Sequence, residues 1–182
     1  MEKALRKNII MVSIETTFII STVAFAILLP QILHIIGATI GIGGALGQIF
    51  LPMYLPILVI GFYRGPLTGA VAGLLAPIVS FSLTNMPQSA ILPFITIELI
   101  ATGLFAGMFK NVKSPAVLRV FLVQVLAKAV RLIAFALSLY FASGNIKLPT
   151  LFSGILMSIP GIILQLVLVS LLIKGKGKNT NE

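Results

Sequence analysis

The sequence predicts an all-α integral membrane protein, a bundle of six transmembrane helices with both termini cytoplasmic, on three observations. Of 182 residues, 58% are hydrophobic and only 9% charged, whereas a soluble domain averages about 25% charged residues because its surface faces water. The apolar residues fall into runs close to the length of about 20 residues that a bilayer demands. The basic residues lie mainly in the short gaps between those runs, as topology-setting charges do. The length suits one bundle, so residues 1–182 are expected to form a single transmembrane domain.

The first span runs from about Asn8 to Leu33. Lys3, Arg6 and Lys7 ahead of it resemble the start of a signal peptide, but no small-x-small cleavage signal closes the stretch. It continues through Leu28, Leu29 and Pro30, which predicts a retained helix. The second span begins near Leu51 and reaches Tyr63, and is short unless the apolar residues before it contribute. The third runs from about Pro66 to Leu83, the fourth from Ala90 to Phe109, the fifth from Pro115 to Phe141 and the sixth from Thr150 to Ile173. Pro66, Pro93 and Pro115 fall in or near first turns, where a missing N–H costs nothing. Pro77 and Pro160 fall inside the third and sixth spans and predict kinks, which membrane helices tolerate when neighbours satisfy the freed carbonyls. The connection between the first two spans carries Gly37, Gly41, Gly43, Gly44 and Gly47. It predicts an external gating loop over about residues 35–50, whose backbone can reshape and approach a ligand closely.

Charge sets the expected orientation. Lys3, Arg6, Lys7, Arg64, Lys110, Lys113, Arg119, Lys174, Lys176 and Lys178, ten in all, belong to one side, the last three in a basic tail over about residues 174–182. Lys147 alone belongs to the other, so the ten are expected to face the cytoplasm.

Composition also excludes much. The net charge of +9 is not gathered into a basic patch between aromatics, so no nucleic-acid partner is expected. With no cysteine, no aspartate, one histidine and four acidic residues, there is no thiol chemistry, no zinc triad and no Ser-His-Asp set. A G-x-x-x-x-G-K-[ST] loop is missing too. The chain is expected to be no enzyme and to hold no metal or cofactor.

Charges inside the apolar runs are the informative feature, because each costs roughly 2.5–3.5 kcal/mol on insertion scales and usually faces a bundle interior. They are Glu15, Glu98, Lys128 and Arg131. From the helical rise, Glu98 lies roughly 12 Å and Arg131 roughly 16 Å below the external ends of their spans, which makes a Glu98–Arg131 or Glu98–Lys128 pair geometrically reasonable. Lys128 and Arg131 share a face, with Gln124 one turn below. Such a group serves either as a structural ion pair or as a polar pocket whose surplus positive charge meets an anionic or electron-rich ligand. Glu15, near the cytoplasmic end, is expected either to snorkel to the interface or to contact a partner protein. His34, Tyr54, Asn85 and Gln88 surround the external mouth. Small residues recur at four-residue spacing as Ser13, Thr17 and Ser21 on the first span, Gly69 and Gly73 on the third, and Gly103 and Gly107 on the fourth. Such stripes let helices approach closely, within the bundle or against another subunit.

A family resemblance rests on an ordered series of motifs. Ile49-Phe50-Leu51-Pro52-Met53-Tyr54-Leu55-Pro56 leads into Gly61-Phe62-Tyr63-Arg64-Gly65-Pro66, then Gly69-Ala70-Val71-Ala72-Gly73-Leu74-Leu75-Ala76-Pro77 and Asn85-Met86-Pro87. Glu98-Leu99 with Gly103-Leu104-Phe105-Ala106-Gly107 completes it. This resembles the substrate-binding S-components of energy-coupling factor (ECF) transporters, which import vitamins into bacteria, over about residues 30 to 110. The resemblance implies a multi-pass subunit of the bacterial cell membrane that holds a vitamin near its external face, partly under the loop joining the first two helices. It implies assembly with a transmembrane coupling subunit and two cytoplasmic ATPase subunits, the coupling subunit docking on a small-residue stripe of the first helix, here Ser13, Thr17 and Ser21. Among such proteins the sequence looks closest to those for vitamin B6 compounds, with cobalamin or another vitamin sharing the same motif frame. The substrate contacts implied are His34, Tyr54, Asn85, Gln88, Glu98, Lys128 and Arg131. A self-sufficient ion-coupled secondary transporter of a small metabolite is the alternative, although no internal repeat of the kind common in that class is visible.

Overall fold

In a bilayer a chain must satisfy its own backbone hydrogen bonds, so long apolar runs fold as helices. The computed structural model describes residues 2–42, 45–142 and 158–178, and among these the chain is helical with no strand. The helices are α1 (Glu2–Thr39), α2 (Ala45–Phe50), α3 (Tyr54–Arg64), α4 (Pro66–Thr84), α5 (Leu92–Met108), α6 (Ala116–Ala142) and α7 (Ile159–Lys178), with a 3₁₀ turn over Phe109–Asn111. Among the described residues four stretches are long and apolar enough to cross a membrane: Ile10–Thr39, Pro66–Thr84, Leu92–Asn111 and Ala116–Tyr140. Their outer faces stay apolar, with Ile20, Phe25, Leu67, Leu83 and Ile133 among the most exposed side chains. A water-facing exterior of that kind would be costly, and the chain is therefore a membrane-embedded helical protein.

Two elements differ from their sequence expectation. The glycine-rich stretch over 35–50 is largely helical. Gly37 is buried in α1 and Gly47 belongs to α2, which leaves residues 40–44 as the connection, with 43 and 44 outside the described residues. A single helical glycine costs only about 1 kcal/mol relative to alanine, too little to end a helix whose apolar face continues. The apolar residues before the expected second span form a separate short helix. α2 and α3 are divided at Leu51-Pro52-Met53, where Leu51 takes φ 46° and Pro52 has no N–H to donate.

The prolines sort as follows. Pro66 opens α4 and Pro93 lies in the first turn of α5, while Pro77 sits inside α4. Pro160 is the second residue of α7, so within the described residues it starts a helix and kinks none. The first part of the sixth span, through Met157, and Lys147 lie outside the described residues.

Packing is tightest along α4 and α5. They run antiparallel, and a Cβ placed on Gly69 or Gly73 would collide with the backbone of Gly103 or Leu99. One on Gly107 would meet the Gly65–Pro66 backbone. Both glycine stripes are therefore consumed inside the bundle. α3 is central: Ile57 packs with Val23, Ala26, Ala72, Ala76 and Leu99 on one side, and Leu58 and Phe62 pack with Ala106, Val120, Val123 and Val169 on the other. The helix directions bring the start of α1, the α3–α4 corner with Arg64, the α5–α6 corner with Lys110, Lys113 and Arg119, and the end of α7 to one end of the bundle. At that end Glu15 bonds Arg64 at 2.5 Å, Arg119 Nη1 donates to the Lys110 carbonyl at 2.8 Å and the Tyr63 hydroxyl donates to the Leu172 carbonyl at 2.9 Å.

Candidate functional site

Near the opposite end, three helices direct polar groups to one point. Tyr54 is the first residue of α3, immediately after the helix break; Glu98 lies in the second turn of α5; Lys128 and Arg131 lie on one face of α6. The Glu98 side chain is 1% exposed. Its Oε1 accepts from Lys128 Nζ at 3.1 Å, and its Oε2 accepts from the Tyr54 hydroxyl and from Arg131 Nη1, both at 2.8 Å. The Lys128 ammonium also lies 5.9 Å from the Tyr54 ring centroid, within cation–π range. Thr102 anchors the turn below by donating to the Glu98 backbone carbonyl at 2.7 Å. One turn nearer the bundle end, Phe94 and Phe135 meet edge to face at 5.4 Å, an apolar cover over the charges.

Two cations thus share one carboxylate. A buried carboxylate needs this much compensation, since charges leave water at a cost of several kcal/mol each unless paired and hydrogen-bonded. Further donors remain unspent: Arg131 Nε and Gln124 Nε2 are buried and have no partner among the described residues. Gln124 is one helical turn below Lys128 on α6.

The other site candidates lie apart from this cluster. His34, half-buried on α1, packs its ring against Gly47, where an added Cβ would approach His34 Cε1 to 2.9 Å. Asn85 closes α4 in the left-handed conformation at φ 54° and is exposed; Gln88 is exposed on the following turn, its backbone carbonyl accepting from Ile91 and Leu92 at 3.0 Å. Among the described residues none of these three hydrogen-bonds to the cluster. Glu15 has an internal partner that its sequence position did not reveal: it accepts from Arg64 at 2.5 Å and from Thr68 at 3.0 Å, and Arg64 lies 4.3 Å over the Phe18 ring. The stripe of Ser13, Thr17 and Ser21 is exposed on α1, and two of its three hydroxyls bond back to the helix backbone. Thr17 donates to the Ser13 carbonyl and Ser21 to the Thr17 carbonyl, each at 2.9 Å, which leaves a small, outwardly unreactive face. Beside it, Ser21, Phe18, Phe25, Leu55 and Val59 line a groove of about 450 Å³ between α1 and α3, with Arg64 at its basic end. No residue of the Glu98 cluster borders this groove.

Sequence reasoning missed Gln165. Only 1% exposed on α7, it donates its amide to the carbonyls of Leu51 at 3.1 Å and Phe50 at 3.5 Å, the groups freed where α2 ends. Gly161, one turn earlier on α7, admits the same backbone, with an added Cβ only 2.5 Å from the Ile49 carbonyl oxygen. A lone glutamine in the apolar run Ile162–Ser170 was the available signal. Among the described residues no group of three or more metal-ligating side chains gathers. No protein-family model matches this chain, and neither does any curated protein or solved structure.

Proposed function

We propose that this chain is the substrate-binding membrane subunit, or S-component, of an ECF-type ATP-driven importer, which captures a vitamin or related small molecule. The observation that carries the reading is the inward-facing Tyr54–Glu98–Lys128–Arg131 cluster, set beside a helix break and at the end of the bundle remote from the basic residues. Intramembrane ionisable groups of this kind mark substrate or ion sites by default. The ordered motifs between residues 30 and 110 support the same assignment. Six spans are counted by taking α2 and α3 together as the second and α7 as the end of the sixth. Both termini face the cytoplasm, on the strength of the basic residues gathered at their end. The setting is a bacterial cell membrane.

On this reading the ring of Tyr54 and the charged pair supply stacking and polar contacts to a small ring such as a vitamin B6 compound, with cobalamin or another vitamin as the other candidates. His34, Asn85 and Gln88 lie toward the same mouth and contribute when a ligand enters. Energy comes from elsewhere: a transmembrane coupling subunit docks on the Ser13–Thr17–Ser21 face and the adjoining groove and brings two cytoplasmic ATPase subunits. One observation favours a second reading, a self-sufficient ion-coupled transporter. The α2–α3 break is of the type that places backbone carbonyls around a transported ion.

Mild solubilisation of the tagged full-length chain from its own membrane separates the two. The importer reading expects ATPase subunits to be captured through a coupling protein, and a vitamin-sized molecule to be detected by mass spectrometry. A solitary chain that drives ion-dependent uptake in proteoliposomes without nucleotide would overturn it.

A further inference from the structure

We infer that the ligand of the Tyr54–Glu98–Lys128–Arg131 cluster is an anion, a small compound carrying a carboxylate or phosphate; this rests on the cluster being the substrate site proposed above. The argument is one of charge and of donors left over. Glu98 is the only acidic side chain in the cluster, and both its oxygens are occupied, Oε1 by Lys128 and Oε2 by Tyr54 and Arg131. It is 1% exposed, so no ligand donor reaches it without displacing a partner. The cations are different. Lys128 and Arg131 keep 17% and 16% of their side chains accessible, and the open side of the cluster is therefore its positive side. The unspent buried hydrogen-bonding atoms nearby, Arg131 Nε and Gln124 Nε2, are donors as well.

A site with one net positive charge, donors to spare and its carboxylate already committed selects for a group that only accepts. Carboxylate and phosphate both do so, and guanidinium binds either one bidentately. An amine or a pyridinium would meet the two cations instead, and like charges in a low dielectric repel strongly. Glu98 then acts as a positioning residue: it holds both cations aimed and prevents their mutual repulsion before the ligand arrives.

The test uses the full-length chain in lipid nanodiscs and calorimetric titration with matched pairs: nicotinate against nicotinamide, pyridoxic acid against pyridoxine, and pyridoxal phosphate against pyridoxal. The small molecule that co-purifies is identified in parallel. The expected result is at least tenfold tighter binding of the anionic member of a pair, about 1.4 kcal/mol, and a co-purified molecule that bears a carboxylate or phosphate. The first two pairs against the third tell which of those groups is preferred. Lys128→Gln, which leaves the Glu98–Arg131 pair neutral, should abolish the preference while the protein remains folded by its thermal transition. Equal or tighter binding of neutral members, a neutral or cationic co-purified molecule, an unchanged preference in Lys128→Gln, or the absence of both binding and a co-purified molecule overturns the inference. If ATPase subunits are still captured in those cases, the importer reading survives and only the ligand class falls. If they are not, both fall together.

Discussion

Removing the Glu98 carboxylate is the sharpest perturbation the bundle offers. In Glu98→Ala three hydrogen bonds vanish at once, from Lys128, Tyr54 and Arg131. Two cations are then left facing each other, along with a buried phenol that has no acceptor. Breaking a buried ion pair by deleting one partner costs about 3–5 kcal/mol, because the surviving charge stays desolvated. At about 2–4 °C per kcal/mol for a chain of this size, the thermal transition should fall by roughly 6–20 °C. The control is the quadruple variant Tyr54→Phe, Glu98→Met, Lys128→Met and Arg131→Met, which replaces the whole cluster by apolar side chains of similar length and leaves no orphaned phenol. Such replacements are often neutral or stabilising, so the quadruple variant should recover to within about 2 °C of the parent while binding at the proposed site is lost. Both proteins are measured in the same bilayer mimetic by a thermal scan. A Glu98→Ala transition within about 2 °C of the parent would refute the reasoning, since it would mean that the two cations never depended on the carboxylate.

Three further outcomes follow from the packing and the charges. Gln165→Leu leaves the Phe50 and Leu51 carbonyls without their donor and should cost about 1–3 kcal/mol, with faster amide exchange confined to residues 45–54. Gly103→Ala drives a methyl group into the Gly69 backbone of the opposing helix and should cost about 1–3 kcal/mol or more, read as a lower thermal transition. Because the chain has no cysteine, Ser89→Cys and Lys113→Cys can each be labelled singly in intact cells by an impermeant maleimide. Both positions are exposed, on the α4–α5 and α5–α6 turns, and only Ser89→Cys should react.

The sequence revealed the embedded charges more readily than the break beside them. Glu98, Lys128 and Arg131 could be matched because each stands alone in an apolar run, where a charge must find a partner and helical rise fixes its depth. Tyr54 was visible as an aromatic at the external mouth, but its hydroxyl bond to Glu98 depends on where α3 starts, and that is set by the turn at Leu51. Leucine in a left-handed conformation has no signature in a hydropathy pattern. For the same reason Gln165 remained unassigned, since its partners are the carbonyls that the break sets free. The Glu15–Arg64 pair was hidden differently. Both residues were assigned to one end of the bundle, but their contact requires α1 to lie against the α3–α4 corner, a non-local choice of neighbour that residue spacing does not encode. The glycine-rich loop was drawn over about residues 35–50 because five glycines read as a backbone free to reshape and approach a ligand. Gly37 and Gly47 serve close packing instead, the latter against His34.

The apolar part of α1, Ile10–Thr39, comprises 30 residues. It presents roughly 45 Å of greasy length to a hydrocarbon layer of about 30 Å. The excess has to be absorbed by leaning, by bending at Pro30, or by thickening the lipid around the helix, each at a fraction of a kcal/mol per ångström of mismatch. The compact α4–α5 pair, 19 and 17 residues long, has no such surplus. Thickness of the surrounding bilayer thus becomes a variable that acts most on α1, less on the 25-residue Ala116–Tyr140 stretch of α6, and spares the α4–α5 pair, so that a change in acyl-chain length alters the slant of α1 against a core that stays put.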